Sequence, residues 1–201
     1  MTKEKLFWNW FEVNSHKYTA LAQITDLDKK EELLNTLLEE LHKYCPKLYF
    51  QIGGGPNEDH ELIVTAEGDK DYFDAAESLV SSAPDINGWQ IFALKPPMGV
   101  NFVTIYEDIT LDPAEAWFLP LDGQTDPNSF GLIIYFPNFS AEQKETFLNG
   151  SYQMLDTILG EKSVALDLQY VDVDILPGNP EEMGLIEVAD LPKYMKWRTE
   201  K

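Results

Sequence analysis

The stretch ELIVTAEGDKDYFDAAESLVSSAP, residues 61–84, decides the fold class. Its first part is apolar with little interruption, which is typical of a central strand covered on both faces. Asp69 follows as a helix cap. Apolar residues then recur at helical spacing until Pro84 ends the pattern: Tyr72, Phe73, Ala76, Leu79, Val80 and Ala83. The stretch therefore predicts a buried strand that leads directly into an amphipathic helix.

A second stretch has the same design. FGLIIYF, residues 130–136, is again a continuous apolar run. Ser140 is placed to open a long helix, and Gln143 stands where it would complete a capping box. The helical period continues through Gly150, at a cost of about 1 kcal/mol for an internal glycine. We therefore predict one helix that ends at Gly160.

The flanking strands extend this likeness to two longer segments. Residues 48–94 and residues 116–175 both have the predicted order strand, strand, helix, strand. The sequence thus predicts an α+β fold with a mixed or mostly antiparallel sheet covered by helices. We expect a single domain over residues 1–201, with the two segments as similar halves.

Three local patterns refine this picture. The connection GGGPNEDH, residues 53–60, contains no lysine and leads into another strand, so it predicts a hairpin rather than a phosphate-binding loop. The apolar side chains change parity between Tyr170 and Val171, which predicts a β-bulge in the last long strand. An N-terminal helix over residues 3–13 has an apolar stripe of Leu6, Phe7, Trp10 and Phe11, from which Trp8 is displaced. We expect the aromatic residues to dock the helix onto the body of the protein, and a stacking or partner-binding patch that contains Trp8 is the alternative.

Charge excludes some classes of function. The formal net charge is −20, and residues 51–192 contain only four lysines against 26 acidic residues. Nucleic acids and anionic membranes require clustered basic residues, so neither is an expected partner. The only arginine is Arg198. This scarcity also argues against enzymes that bind phosphates or carboxylates through bidentate arginine guanidinium groups. A basic protein surface is the expected partner, and a non-enzymatic acidic binding protein is the leading hypothesis.

The single cysteine, Cys45, cannot form an intramolecular disulfide, so the fold does not depend on an oxidising compartment. The first 14 residues are interrupted by charges and do not resemble a signal peptide. We therefore expect a cytoplasmic protein that needs no cofactor.

Five residues are candidates for binding a small ligand. Glu67 and Asp69 lie where a central strand leads into a helix, and Asn138 and Ser140 hold the equivalent place in the second half. Ligands of open α/β sheets commonly bind at such strand ends. With Trp89, these residues would line a groove in a small-ligand carrier, which is one alternative function.

The other alternative is a divalent-metal-dependent hydrolase that acts on a neutral or cationic substrate. Asp172 and Asp174 are two residues apart and share one face of a strand, where two carboxylates can bind Mg²⁺ or Ca²⁺. Glu67 with Asp69 is a second candidate pair. His60 lies between two acidic residues, and we expect it in a surface loop.

Several segments together resemble an uncharacterised family of bacterial proteins of about this length. They are FWNWF (7–11), ELIVTAEGD (61–69), the strand W-x-I-x-A (89–93), AWFLPL (116–121) and LDTILGE (155–161). The resemblance implies a bacterial cytosolic origin. It implies no activity for any residue.

Overall fold

A computed structural model describes residues 1–54, 59–122 and 130–200, with only the backbone of Asp122. The chain divides into two compact units, Met1–Lys95 and Pro96–Lys201. Helices and mixed or antiparallel sheets occur in both, which confirms the α+β class. The extent of a single domain over residues 1–201 stays a prediction. In the described ranges no helix has both the length and the apolar character needed to cross a membrane.

The first unit has a three-stranded mixed sheet. Its elements are α1 (Lys3–Asn14), α2 (Leu27–Tyr44), β1 (Tyr49–Gly53), β2 (His60–Thr65), α3 (Phe73–Ser81) and β3 (Trp89–Ala93). The strand order is β1-β2-β3, with β1 antiparallel and β3 parallel to β2. The predicted hairpin is therefore confirmed, although residues 55–58 of its connection lie outside the described residues.

The middle strand β2 is the core of this unit. Leu62, Val64 and Thr65 have no exposed surface, and Ile63 is also buried. These residues alternate between the two faces of the strand, so both faces are covered. The uninterrupted apolar run therefore predicted the position of β2 correctly.

The helix α1 is rotated relative to the predicted stripe. Trp8 is only 2% exposed, and its indole Nε1 donates a hydrogen bond to the carbonyl oxygen of Leu79 at 2.8 Å. Leu6, which belonged to the predicted stripe, is 55% exposed. Phe7, Trp8 and Phe11 form the buried face instead. The expectation that aromatic residues dock this helix is confirmed. The alternative of a partner-binding patch that contains Trp8 is wrong, because a buried acceptor for its N–H makes burial of the whole ring favourable.

The second unit contains two sheets. Its elements are β4 (Thr104–Tyr106), β5 (Ile109–Leu111), β6 (Trp117–Asp122), β7 (Phe130–Phe136), α4 (Lys144–Leu159), α5 (Glu161–Asp167), β8 (Leu168–Ile175), β9 (Ile186–Glu187) and α6 (Leu191–Thr199). The larger sheet has the order β8-β7-β6-β9, in which β7 is antiparallel to β6 and parallel to β8. Thus β6-β7-α4-β8 has the same strand pairing as β1-β2-α3-β3, with α5 inserted before β8.

The predicted bulge is present in β8. Phe130 pairs with Leu168 and Gly131 pairs with Tyr170, so Gln169 is the extra residue. The N–H of Phe130 donates to Oε1 of Gln169 at 2.6 Å, and this hydrogen bond satisfies a backbone group that the irregular ladder displaces. Beyond the bulge Val171 and Val173 are buried, as the change of parity indicated.

Gly150 lies in the middle of α4 because the two-stranded hairpin β4–β5 packs closely against it. A Cβ atom at this position would lie 2.6 Å from Cδ1 of Leu111 and 3.1 Å from Cβ of Tyr106. These distances leave no room for a side chain. The helix therefore continues through this residue, as predicted, and the glycine permits a close contact.

We expect Gly150→Ala to destabilise the protein by about 1–3 kcal/mol, because the methyl group overpacks the hairpin contact. The usual effect of this change inside a helix has the opposite sign, a gain of about 1 kcal/mol. Urea unfolding followed by circular dichroism measures the difference. Gly178→Ala is the control, because an added Cβ there meets no atom within 4 Å. A Gly150→Ala protein as stable as the wild type would contradict the close contact.

We expect Trp8→Phe to lower the free energy of unfolding by about 1–3 kcal/mol, since it removes a buried hydrogen bond and leaves space beside the smaller ring. The carbonyl oxygen of Leu79 keeps the backbone N–H and the hydroxyl of Ser82 as donors. Trp10→Phe is the matched control, because the half-buried Trp10 makes no side-chain hydrogen bond within the described residues. Chemical denaturation of both variants tests this expectation. Equal losses at the two positions would show that ring size alone matters.

Candidate functional site

The parallel strands β2 and β3 bring two opposite charges together at their carboxyl ends. Lys95 follows β3, and its Nζ lies 3.1 Å from Oε2 of Glu67, which follows β2. The backbone of Glu67 has a φ of 50°, and its N–H donates to Oγ1 of Thr65 at 3.0 Å. Asp69 caps the following turn by accepting the N–H of Asp71 at 3.2 Å. Both predicted carboxylates thus lie at this strand end, where one pairs with a lysine and the other caps a turn.

Trp89 lies at the other end of the same sheet. It is the first residue of β3, pairs with His60, and is 8% exposed. Its ring lies 5.1 Å from that of Phe11 and 5.4 Å from that of His60. The length of β3 from Trp89 to Ala93 is about 13 Å at 3.3 Å per residue. The structure therefore does not bring Trp89 to Glu67 and Asp69. His60 begins β2, so the expectation of a loop position for it is wrong.

The predicted residues of the second half lie beside the hairpin β4–β5. The side-chain amide of Asn138 donates to the carbonyl oxygen of Thr110 at 2.9 Å. The hydroxyl of Ser140 donates to the carboxylate of Glu142. These contacts attach the segment that follows β7 to the hairpin and to the start of α4.

The predicted capping box of Ser140 and Gln143 is wrong. A 3-10 turn over Ala141–Gln143 separates Ser140 from α4, and Ser140 caps no backbone N–H. Gln143 instead donates from Nε2 to both carboxylate oxygens of Asp108, at 3.0 and 3.2 Å. This contact of Gln143 with the hairpin takes the place of the predicted capping contact with Ser140.

We call the following group the hairpin surface: Val103, Ile105, Glu107, Asp108, Thr110, Glu142 and Glu145. Ile105 pairs with Thr110 and points away from the core, whereas Ile109 and Leu111 on the other face are buried. Ile105 is 75% exposed and Val103 is 50% exposed. Within the described ranges β4 and β5 pair only with each other.

Carboxylates lie at the tip of this hairpin and at the helix that the tip contacts. Glu107 and Asp108 form the tip, Glu142 lies in the 3-10 turn before α4, and Glu145 lies in the first turn of α4. The hydroxyl of Thr146 lies 3.5 Å from Oε2 of Glu107. Together with the Gln143 contact, this hydrogen bond holds the tip against the helix.

Sequence reasoning identified Asn138 and Ser140 but not the hairpin beside them. The sequence feature that indicates this hairpin is the pair Glu107-Asp108, which lies between the short runs TIY and ITL. Two polar residues between β-prone runs indicate a hairpin, but three-residue strands are too short to show alternation. The exposed Ile105 could not be distinguished from a core residue on this basis.

Asp172, a candidate metal ligand, has other partners. Its Oδ1 lies 2.7 Å from Nζ of Lys144 and accepts the N–H of Val173 at 2.9 Å. Its Oδ2 accepts the hydroxyl of Tyr170 at 3.1 Å. Partial burial raises the pKa of Asp172, but these hydrogen bonds outweigh burial and hold the pKa below its ordinary value of 3.8.

Asp174 lies two residues farther along β8, beside Tyr135 of β7. Its Oδ1 accepts the N–H of Ile175 at 2.8 Å. Burial raises the pKa of Tyr135, and the charges of Asp174 and Asp172 add to that effect. The part of the chain that the structure describes contains no group of three or more His, Cys, Asp or Glu residues suited to a metal ion.

Comparisons of the chain with protein-family models, with curated proteins and with solved structures gave no significant match. This result agrees with the resemblance to an uncharacterised family. It transfers no role to any of the residues above.

We expect Asp172→Asn to lower the free energy of unfolding by about 0.5 kcal/mol near neutral pH, the size of a partly exposed ion pair. A carboxyl whose pKa is lower in the folded chain stabilises the fold above its ordinary pKa, and this effect is lost as the pH falls. The difference between variant and wild type should therefore vanish as the pH falls from 3.8 through the lower folded pKa.

Urea unfolding over a series of pH values tests this expectation. Asp174→Asn is the control, because it leaves the pair of Lys144 and Asp172 intact. A destabilisation by Asp172→Asn that persists unchanged at low pH would contradict it.

Proposed function

We propose that the protein is a non-enzymatic binding protein that docks a basic protein segment on the hairpin surface. The observation that carries this proposal is the exposure of Ile105 on β4 and of Val103 just before it, on a hairpin whose tip consists of Glu107 and Asp108 and contacts the acidic start of α4. An apolar patch with a polar rim is a common feature of protein interaction sites. A groove or surface for nucleic acid would carry the opposite charge.

The apolar part of the surface supports an extended partner. Ile105 is the outward-facing residue of β4, and the exposed Val103 immediately precedes the strand. The strands β4 and β5 form a two-stranded ribbon in the described residues, and such a ribbon has backbone groups to offer at its edges. A segment that pairs with an edge places every second side chain on the same face as Ile105.

The charged part supports a basic partner. Glu107, Asp108, Glu142 and Glu145 contribute four negative charges. Lys144 lies among them in the sequence, but its ammonium pairs with Asp172 on β8. Complementary charge accelerates association and makes it sensitive to salt. A segment with alternating basic and aliphatic residues fits both properties of the surface.

The same proposal includes the partners that the protein does not bind, its cellular location and its origin. The net charge of −20 supports a protein that binds neither nucleic acid nor anionic membranes. The single cysteine supports a cytoplasmic location. The resemblance to a bacterial family supports a bacterial origin.

A fluorescent peptide of alternating lysine and valine is the probe for this proposal. We expect its affinity, measured by fluorescence anisotropy, to fall at least tenfold between about 50 mM and about 500 mM salt, because salt screens exposed charges. The double variant Glu107→Gln, Asp108→Asn should weaken binding by about fivefold at low salt. The double variant Glu31→Gln, Glu39→Gln removes the same charge from exposed positions of α2 and is the control.

A second pair of variants tests the apolar contact. We expect Ile105→Ser to weaken binding of the same peptide by about fivefold through loss of apolar contact. Met98→Ser is the matched control, since Met98 is 74% exposed and Ile105 is 75% exposed. Binding that is indifferent to salt, or equal losses in the test and control variants, would contradict the proposal.

A further inference from the structure

The first unit contains a groove that the proposed function does not use. It has a volume of about 580 Å³ and lies between β1, the helix α2 and the segment that joins α1 to α2. Sites for small molecules have volumes of roughly 300–1,000 Å³. The groove is therefore large enough for a ligand of that class.

The walls of the groove are mainly apolar. Phe50 and Ile52 have the same parity on β1 and form its floor. Leu34 of α2 and Leu21 of the joining segment face them. Phe50, Ile52 and Leu34 are half-buried, so a bound ligand would remove more of their apolar surface from water.

Two of the polar lining side chains, those of Lys30 and His60, lie at one end of the groove. The helix α2 ends beside the start of β1, where the ring of His42 lies 5.9 Å from that of Tyr49, and the two elements then run in opposite directions. Leu34 lies about 15 Å along the helix axis from Tyr44, the last residue of α2, at a rise of 1.5 Å per residue. Gly53 is about 13 Å from Tyr49 at 3.3 Å per residue. Leu34 therefore lies beside the Gly53 end of β1.

Lys30 and His60 occupy this same end. Lys30 is one helical turn before Leu34 and shares its face of α2, and both residues line the groove. His60 also lines the groove and begins β2 next to the end of β1. The groove thus has an apolar part along Phe50 and a polar end with an ammonium and an imidazole.

The local charge differs from that of the rest of the chain. None of the described residues that line the groove is acidic, although the net charge of the chain is −20. Lys30 makes no ion pair with any other described residue. Burial raises the pKa of Tyr18, another lining residue, to about 12, so its hydroxyl stays neutral.

We infer that this groove binds a small amphipathic carboxylate, with its head at Lys30 and His60 and its apolar body along Leu34, Phe50 and Ile52. A lysine ammonium attracts a single negative charge, and an imidazole N–H can donate to the second carboxylate oxygen. One lysine does not neutralise a phosphate dianion or a polyphosphate. None of the described residues that line the groove is an arginine, so the lining offers no bidentate guanidinium.

Three probes with the same apolar body and different heads test the ligand class: decanoate, decanol and decylammonium. Calorimetric titration of the full chain should give an affinity for decanoate about tenfold higher than that for decanol. Decylammonium should bind more weakly than both. These differences follow from the charge of Lys30 at the polar end.

Matched lysine variants test the position of the head. Lys30→Met should lower the affinity for decanoate about tenfold and leave that for decanol unchanged. Lys29→Met removes the same charge from the neighbouring helical position, which does not line the groove, and should change neither affinity. Leu34→Trp, with its fold checked by circular dichroism, should weaken binding of decanoate and decanol alike by filling the groove.

Three results would overturn the inference. They are equal effects of Lys30→Met and Lys29→Met on decanoate, binding of decylammonium as tight as that of decanoate, and failure of all three probes to bind. Each of these results leaves the hairpin surface of the second unit untouched as a proposal.

Discussion

Burial of one central strand is the constraint on which each unit depends. In the first unit this strand is β2, which is buried on both faces. In the second it is β7, which buries Leu132, Ile134 and Phe136 on one face, whereas Ile133 and Tyr135 on the other face are half-buried. A strand of this kind needs hydrogen-bonding partners on both sides and helices or loops over both faces. The pairing of an antiparallel neighbour and a parallel neighbour satisfies the first need, and the crossover helix contributes to the second. Polar chemistry is thereby displaced to the ends and edges of the sheets.

Ion pairs of the described chain lie at these ends and edges of the sheets. Glu67 and Lys95 meet at the ends of parallel strands, and Asp172 meets Lys144 at the margin of the larger sheet. These carboxylates have cationic partners within their own unit. In the hairpin surface, Asp108 and Glu107 instead accept hydrogen bonds from Gln143 and Thr146, which are neutral. Under the proposed function this charge acts on a basic partner, and this difference distinguishes a candidate binding surface from structural ion pairs.

The sequence predicted the strands and the bulge, which depend on local residue patterns. It did not predict which side of a helix faces the core or which side chains of very short strands point outward. The continuous run at residues 130–136 matches the bounds of β7. The change of parity between Tyr170 and Val171 predicted a bulge in the last long strand, and the structure places it at Gln169. Periodicity does not determine which side of a short aromatic-rich helix meets the sheet, so Trp8 was misplaced. The cap at Ser140 gave way to a contact between Gln143 and a residue 35 positions away. The hairpin β4–β5 has strands of three residues, too short to reveal which side chains point outward.

The fit of Gly150 against the hairpin also determines how that part of the molecule opens. A ribbon of two strands is marginal in water, and its order depends on the helix beneath it. Local opening of β4 and β5 therefore requires separation from α4 and from the segment of Asn138 and Gln143, but it leaves the strand pairing of the four-stranded sheet intact. A molecule that binds the ribbon stabilises it by mass action and slows exchange of its amide hydrogens with solvent. The rigidity of the hairpin would therefore change when a molecule binds to it. The lack of a side chain at Gly150 permits the helix contact that orders the hairpin.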